Sequence, residues 1–349
     1  MNTKAIITGI GGQDGATLAA RLLRDGRRVI GTLRPGTARE SLWRLSELAI
    51  ADHPLLELRD LPIEDAACRA LLDDVRPYAL FHFAAQSRVA ESFRDPLGSA
   101  RVNGLATVHL LEAIRTASPQ TRFVLASTAE IFGDAPAGPA DETTPFRPRN
   151  PYAAAKQFAH ASTVAYRESF GLHASCAILF NHESPLRDDG FVTRKIAAAA
   201  VRLARSDGDP LALGNLDAQR DFGYAPEYVA AMERMAAQER ADDYVLATGI
   251  ATSIRDFTTL AFRAAGIDLA WTGQGVGETA SDPQGRVLVR IDPDLFRPVD
   301  ARVLVGNPAK ARAKLGFEPR VDVAELALRM VQAQQRRRGG QATDGSLPA

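Results

Sequence analysis

The chain has 349 residues, enough for one large domain or two closely joined ones, and its 42 basic residues balance 42 acidic ones. That balance leaves no electrostatic case for nucleic acid or an anionic membrane surface, and no run approaches the ~20 apolar residues that span a bilayer. Lys4–Gly9 reads as a strand entering a glycine turn rather than a signal peptide, and Cys68 and Cys176 sit in apolar contexts as reduced thiols. No His/Cys group has zinc spacing, so no metal is expected and the protein reads as soluble and cytoplasmic.

In chain order, Ala5–Thr8, Arg28–Thr32, Leu55–Leu58, Ala79–Phe83 and Phe123–Ser127 are short apolar runs that predict strands. Between them Ala16–Asp25, Ala66–Val75 and Val102–Ala117 predict helices. The alternation gives an α/β fold, a doubly wound parallel sheet covered on both faces. A further strand, Ala174–Phe180, precedes a polar segment at Asn181–Gly190. From about Phe191 helices such as Val192–Arg205 mix with short strands and many Gly and Pro, as in a smaller substrate-capping region. After Gln332 the Arg-rich and polar stretch predicts a frayed tail.

Between the first strand and the first helix, Gly9, Gly12 and Gly15 have the spacing that lets a backbone turn tightly against a pyrophosphate at a helix N-terminus, with Gln13 and Asp14 inside the same loop. This makes the first half a Rossmann-type dinucleotide domain. The end of the second strand carries Arg34, with Arg39 nearby and no carboxylate before Glu40. A guanidinium suits a 2′-phosphate, which favours NADP over NAD; Arg39 reads equally as solvated surface. Asp60 and Leu61 after the third strand read either as an adenine contact or as loop packing. The same holds at the nicotinamide end for Ala84, Gln86 and Ser87 after the fourth.

Two short motifs carry the chemistry. Thr128 and Glu130 follow the fifth strand; if the backbone stays extended, they point to the same side. Tyr152 and Lys156 lie one turn apart on an alanine-rich helix. A free tyrosine titrates near ~10, and a neighbouring lysine lowers that towards a working base. Glu130 is then a second base, available for a different proton.

Together these residues resemble the extended short-chain dehydrogenase/reductase family and, within it, the GDP-mannose 4,6-dehydratases. The segments that carry the resemblance are TGIGGQDG (8–15), LFHFAAQSRV (80–89), ASTAEIFG (126–133), PRNPYAAAKQFAH (148–160), LFNHESPLRDDGFVTRKI (179–196), LGNLDAQRDFGYAPEYV (213–229) and FRPVDARVLVGNPAKARAKLGFEP (296–319). It implies that Tyr152 takes the C4 hydroxyl proton, Thr128 binds the reacting oxygen, and Lys156 holds the nicotinamide ribose. Glu130 removes the C5 proton as the 6-hydroxyl leaves, and the stored hydride returns to C6, so NADP is recycled. It further places His182 and Arg187 at the nicotinamide side, and Ser87, Asn181, Lys195, Leu213, Gly214 and Asn215 along the GDP-sugar. Arg220 and Arg297 would grip the diphosphate. Homodimers or homotetramers are implied, the dimer built through helices near Lys156.

The expected organisation is an NADP-binding Rossmann domain over 1–180 carrying the catalytic residues. Residues 181–332 are mainly a substrate-binding region with some segments returning to the sheet, and 333–349 are tail. Departures from the dehydratase pattern are Ala129 for a hydroxyl or carboxylate residue, Phe132 for tyrosine, Arg88 and Tyr224 for histidine, Leu186 for arginine, and Arg34-Pro35 for a pair of arginines. They leave open another GDP sugar such as a GDP-heptose, a reductase or epimerase, against which Glu130 argues, or a non-catalytic NADP-binding regulator. The plain alternatives are a structural hub at His182, a surface ion pair at Arg220-Asp221, a loop cap at Arg297 and a solvated charge at Glu130.

Overall fold

The computed structural model describes residues 4–63, 65–133, 138–205, 208–296 and 303–339. Its centre is a seven-stranded, wholly parallel sheet in the order β10-β6-β5-β4-β1-β2-β3. The strands are β1 (Ala5–Thr8), β2 (Val29–Leu33), β3 (Leu56–Asp60), β4 (Ala79–His82), β5 (Arg122–Ala126), β6 (Ala174–Leu179) and β10 (Asp243–Leu246). Each predicted strand lies within two residues of its expected bounds. β10 comes from the second half of the chain, which thus contributes to the same sheet.

Because successive strand residues point to opposite faces, Ile6 and Ile7 enter two different cores. Ile7 packs with α1 (Gln13–Arg24) and α9 (Ala225–Ala237). Ile6 packs with α3 (Asp65–Val75) and α6 (Ala106–Ala117), where Cys68 and Cys176 are buried free thiols. α6 is preceded by a π-helical turn, Arg101–Leu105, inside the run predicted as one helix. The strand order reverses between β1 and β4, and at such a switch point the loops beyond the carboxyl ends of the strands form a crevice.

Around this frame are α2 (Trp43–Glu47), α4 (Val89–Arg94), α5 (Pro96–Ala100) and α7 (Pro151–Phe170). A second assembly holds α8 (Val192–Ala204), α10 (Ile254–Ala264) and α12 (Val323–Arg338) around its own core; α11 (Ala309–Leu315) packs its buried residues with the core on the α1 side of the central sheet. Two small sheets complete it: β7 (Asn181–Glu183) and β11 (Ala251–Ser253) with β9 (Gln219–Tyr224) and β15 (Val303–Leu304), and β8 (Leu211–Leu213) with β12 (Ala270–Thr272), β13 (Thr279–Ser281) and β14 (Val287–Ile291).

The tail differs from expectation. α12 continues through Arg338, and Ala333 and Gln334 are buried. Arg337 donates to Glu47 Oε1 (2.8 Å) and to the Pro185 carbonyl (2.9 Å), its guanidinium 4.8 Å from the Trp43 ring. An anchored last turn does not fray; the expected tail beyond Gly339 lies outside the described residues.

Candidate active site

The glycine loop is fixed by its own geometry. Gly9 has φ +73°, and a Cβ there would lie 2.6 Å from the Ala84 amide nitrogen, so both the backbone sign and the close approach require glycine. A Cβ at Gly15 would collide with the Gly9 carbonyl. Gly12 is the N-cap of α1 and gives no side-chain cap, so the first-turn N–H groups are left to an anion.

The side chains of Gln13 and Asp14 turn away from the loop towards β7. Gln13 donates to the His182 carbonyl (3.0 Å) and accepts from Ser184 Oγ (2.8 Å). Asp14 Oδ2 lies 3.0 Å from His182 Nε2, and His182 Nδ1 lies 2.7 Å from the Phe180 carbonyl. With an acceptor at each ring nitrogen, the imidazole is held as a cation donating from both. Burial opposes that charge, but the Asp14 carboxylate outweighs it and raises the His182 pKa. Reciprocally, burial raises Asp14, and His182 and Arg187 overcome it to hold the carboxyl below its ordinary range. Arg187 itself lies 2.9 Å from Glu183 Oε2, with its guanidinium 3.5 Å from the centre of the Phe191 ring. His182 is therefore a structural hub joining the glycine loop to the loop after β6.

At the other expected cofactor positions, Gln86 is gripped by Asn103, which accepts from the Gln86 amide (2.9 Å) and donates to its carbonyl (3.0 Å). Ala84 donates its own amide to Thr8 Oγ1 (3.3 Å), and Ser87 is exposed beside them. Thr8 also meets His82 Nδ1 at 2.7 Å; burial, then the charge of Lys156, pushes the His82 pKa down to about 3, so this histidine is neutral. Arg34 is exposed at the end of β2 and its carbonyl closes the turn to Thr37. Asp60, exposed, and Leu61, buried, sit beside it at the end of β3.

The catalytic candidates converge where β5 meets α7. The backbone does not stay extended: β5 ends at Ala126, and Ala129–Phe132 form a 3-10 turn capped by Thr128 Oγ1, which accepts from the Glu130 amide (3.3 Å). Thr128 is near enough to the Tyr152 phenol to lower its pKa, and the Glu130 charge acts on the same phenol. Asn150, the N-cap of α7, accepts from the Ala153 amide (2.8 Å) and donates to Glu130 Oε2 (3.2 Å). Lys156 donates to the Ala126 carbonyl (2.9 Å).

The electrostatics correct one expectation. Burial pushes Tyr152 up to about 12; Thr128 partly offsets this and Glu130 adds to it. Lys156 is pushed down to about 8 by burial, and its ammonium is spent on a carbonyl of β5. Sequence spacing alone suggested the opposite sign for Tyr152, because desolvation cannot be read from an i,i+4 pair.

Behind this site His160, one turn beyond Lys156, lies 3.2 Å from Ser127 Oγ and 3.6 Å from Asp243 Oδ2. Arg167 binds both oxygens of Asp243 (2.9 and 3.0 Å). His160, Cys176 and Asp243 could together face a metal ion, yet the guanidinium already supplies the cation that Asp243 requires.

On the side expected to face substrate, Asn181 begins β7 and is half-buried, while Lys195 is exposed and donates to the Ala212 carbonyl (2.9 Å). The Leu213 carbonyl accepts from Asp292 (2.8 Å), and a Cβ on Gly214 would lie 2.7 Å from the Leu295 carbonyl. Asn215 Oδ1 accepts from the Asp217 amide (3.0 Å). Leu213 and Gly214 thus lie against the segment leading to Arg297, which itself lies outside the described residues. Arg220 is buried and donates to the Gln219 carbonyl (2.8 Å). It is not a surface partner of Asp221: that carboxylate is fully buried and accepts from Thr248, Gly249 and Gly306.

Four of the departures are core positions, Ala129 among them. Phe132 packs on Phe146 and Phe180 (centroids 5.5 and 6.1 Å), Leu186 is fully buried, and Tyr224 is buried beneath Arg329. Arg88 pairs with Asp188 and Glu91. Sequence reasoning missed Asn103, Asn150 and Arg44, the last donating to the carbonyls of Leu186 (2.6 Å) and Gly11 (3.0 Å). An Asn before Pro at a helix start was the available signal for Asn150.

The fold and this crevice define a class, the Rossmann-fold enzymes of nucleotide sugars. A crystal structure described as that of a putative epimerase from Burkholderia cenocepacia J2315 matches with a TM-score of 0.78 at 27% identity, covering 95% of this chain and 98% of that one. The UDP-glucose 4-epimerase of Thermus thermophilus, solved with NAD, matches with a TM-score of 0.77 at 25% identity over 95% and 99%. The family model described as GDP-mannose 4,6 dehydratase matches residues 6–330. The GDP-mannose 4,6-dehydratase of Sinorhizobium fredii (strain HH103) is 43% identical over 335 residues, 94% of this chain and 95% of the relative. GDP-mannose 4,6 dehydratase 2 of Caenorhabditis elegans is 41% identical over 94% and 87%. The chain belongs to the GDP-mannose 4,6-dehydratase family.

Proposed function

We propose that this protein is an NADP-dependent enzyme that converts GDP-mannose to GDP-4-dehydro-6-deoxy-D-mannose. The observation that carries the proposal is the meeting of two potential bases, Tyr152 and Glu130, around Thr128. The uncapped start of α1 and the glycine cradle fit a dinucleotide pyrophosphate. When bound, the nicotinamide accepts the C4 hydride and returns it at C6.

Tyr152 takes the C4 hydroxyl proton. With its pKa raised to about 12 by burial, the phenolate needs a cation beside it, and Lys156, one helical turn away, is the cation the family resemblance assigns. Thr128 holds the C4 oxygen. The 4-ketone acidifies C5–H; Glu130 takes that proton, the C5–C6 double bond forms and the 6-hydroxyl departs. The protons gathered at Tyr152 and Glu130 balance the one that leaves in water and the one that returns to C5. Ala129 contributes no acid, so the proton for the departing hydroxyl comes from Glu130 or a water.

The test is mass spectrometry of GDP-mannose incubated with the protein and catalytic NADP. A product lighter by one water supports the proposal. An unchanged substrate, despite bound NADP, points first to another GDP sugar and then to a non-catalytic NADP-binding role; unchanged mass with altered stereochemistry identifies an epimerase.

The cofactor preference rests on Arg34, exposed at the end of β2 where a ribose 2′-substituent would lie. Arg34→Ala is expected to weaken NADP by about 10-fold or more, the cost of a lost charge-assisted bond, and NAD far less. Equal weakening in a fluorescence titration places the 2′-phosphate elsewhere.

A homodimer is part of this reading. Leu97 on α5 (73% exposed), Leu105 on the π-helical turn before α6 and Phe158 on α7 (51%) are exposed large apolar side chains that a second copy would cover. No described helix is long and apolar enough to cross a membrane.

A further inference from the structure

Glu130 reaches the site from the 3-10 turn after β5, while Tyr152 and Lys156 ride on α7. Two elements that carry opposite halves of one reaction need a common reference, and Asn150 spans them. Its Oδ1 accepts from the Ala153 amide (2.8 Å), its carbonyl accepts from the Ala154 amide (3.0 Å), and its Nδ2 donates to Glu130 Oε2 (3.2 Å). Pro151 at the first helical position fixes the entry into α7, and Asn150 is only 9% exposed. The carboxamide therefore has little freedom to turn away.

The bond to Asn150 is the only hydrogen bond that the Glu130 carboxylate accepts among the described residues. A neutral donor suits a base. An arginine or lysine at this place would favour the carboxylate so strongly that its proton affinity would fall. The Asn150 amide N–H orients the carboxylate through Oε2 and leaves Oε1 free.

We propose that Asn150 is a positioning residue that aims Glu130 at the C5 proton and sets its distance from Tyr152, acting on dehydration and not on C4 oxidation. The inference rests on the dehydratase reading above and adds a residue to it.

Asn150→Asp and Asn150→Ser separate this role from helix capping, because Asp and Ser cap as well as Asn. Asp replaces the donor with a second carboxylate facing Glu130; Ser offers a shorter hydroxyl. Each variant would be assayed with GDP-mannose and NADP for water loss, for solvent deuterium entering C5, and for the 4-keto hexose with its accompanying nicotinamide absorbance. For Asn150→Asp, the expected result is a fall in kcat for water loss and deuterium entry of about 10- to 100-fold, the scale for a misplaced catalytic group. KM and melting temperature stay near wild type, the 4-keto hexose accumulates, and Asn150→Ser lies between the two. Wild-type kcat in Asn150→Asp overturns the proposal. So does an equal loss of C4 oxidation and dehydration, which marks a merely structural residue. Glu130→Gln run in parallel separates the two levels: normal water loss in that variant removes Glu130 as the base and takes both readings down, whereas its failure beside a fully active Asn150→Asp removes only the inference.

Discussion

Glu130→Gln is expected to lose water elimination by about 10²- to 10⁴-fold, the usual contribution of a positioned general base, while it still binds cofactor and GDP-mannose. The amide has the shape of the carboxylate and can accept the Asn150 hydrogen bond through its oxygen, but it cannot take a proton from C5. Thr128, Tyr152 and Lys156 are untouched, so C4 oxidation proceeds and the ketohexose accumulates with reduced cofactor. Rapid-quench analysis of the products checks this directly. Undiminished water loss would sink the assignment of Glu130. The substitution also removes the carboxylate charge that raises the Tyr152 pKa, so the oxidation step is expected to shift its alkaline dependence to lower pH.

The second large effect lies behind the site. Asp243→Asn is expected to destabilise the fold by about 3 kcal/mol, the low end for removing one partner of a buried pair. Asp243 and Arg167 side chains each keep 17% exposure, which places the pair at that end. Asp243 anchors the edge strand β10 through Arg167 and the Cys176 amide (3.1 Å), and it faces His160. Burial raises its pKa, but His160 and Arg167 overcome this and hold it far below the ordinary carboxylate range. A depressed folded pKa means that the stabilisation is fully present above the unfolded value of about 3.9 and fades as pH falls through the folded one. The gap between wild type and Asp243→Asn in denaturant titrations should thus be constant from neutral pH down to about 5 and close below about 4.

The parallel sheet was legible because each strand is a short apolar run followed by a helix-period stretch, and neither depends on distant partners. The Tyr152–Lys156 pair was legible for the same reason. What escaped is non-local. The chain was expected to stay extended through Glu130; Thr128 itself is extended (φ −150°, ψ 148°), but Ala129–Phe132 turn into a 3-10 helix that packs Ile131 and Phe132 into a buried apolar cluster. The direction of the Tyr152 shift depends on how deeply α7 is buried. Arg220 and Asp221 read as a surface pair because adjacent charges usually are; β9 is central in its small sheet and buries both. Arg44 finds its carbonyl partners 33 and 142 residues away, distances at which a single sequence carries no signal. Over 333–338 the expected fraying gives way to helix, because Arg337 has partners at Glu47 and Pro185.

That last contact has a consequence for how the molecule comes into being. On the ribosome β1 and the glycine loop emerge before the loop that meets them at Gln13 and His182, and that loop is tied at Pro185 by Arg194 (3.2 Å) and Arg337. Arg337 belongs to the final turn of α12. The central strands up to β6 can pair while translation continues, but the tie from Arg337 to the loop beside the dinucleotide cradle forms only after residue 337 has been made. The loop beside the cradle thus takes one of its ties from a segment synthesised long after itself.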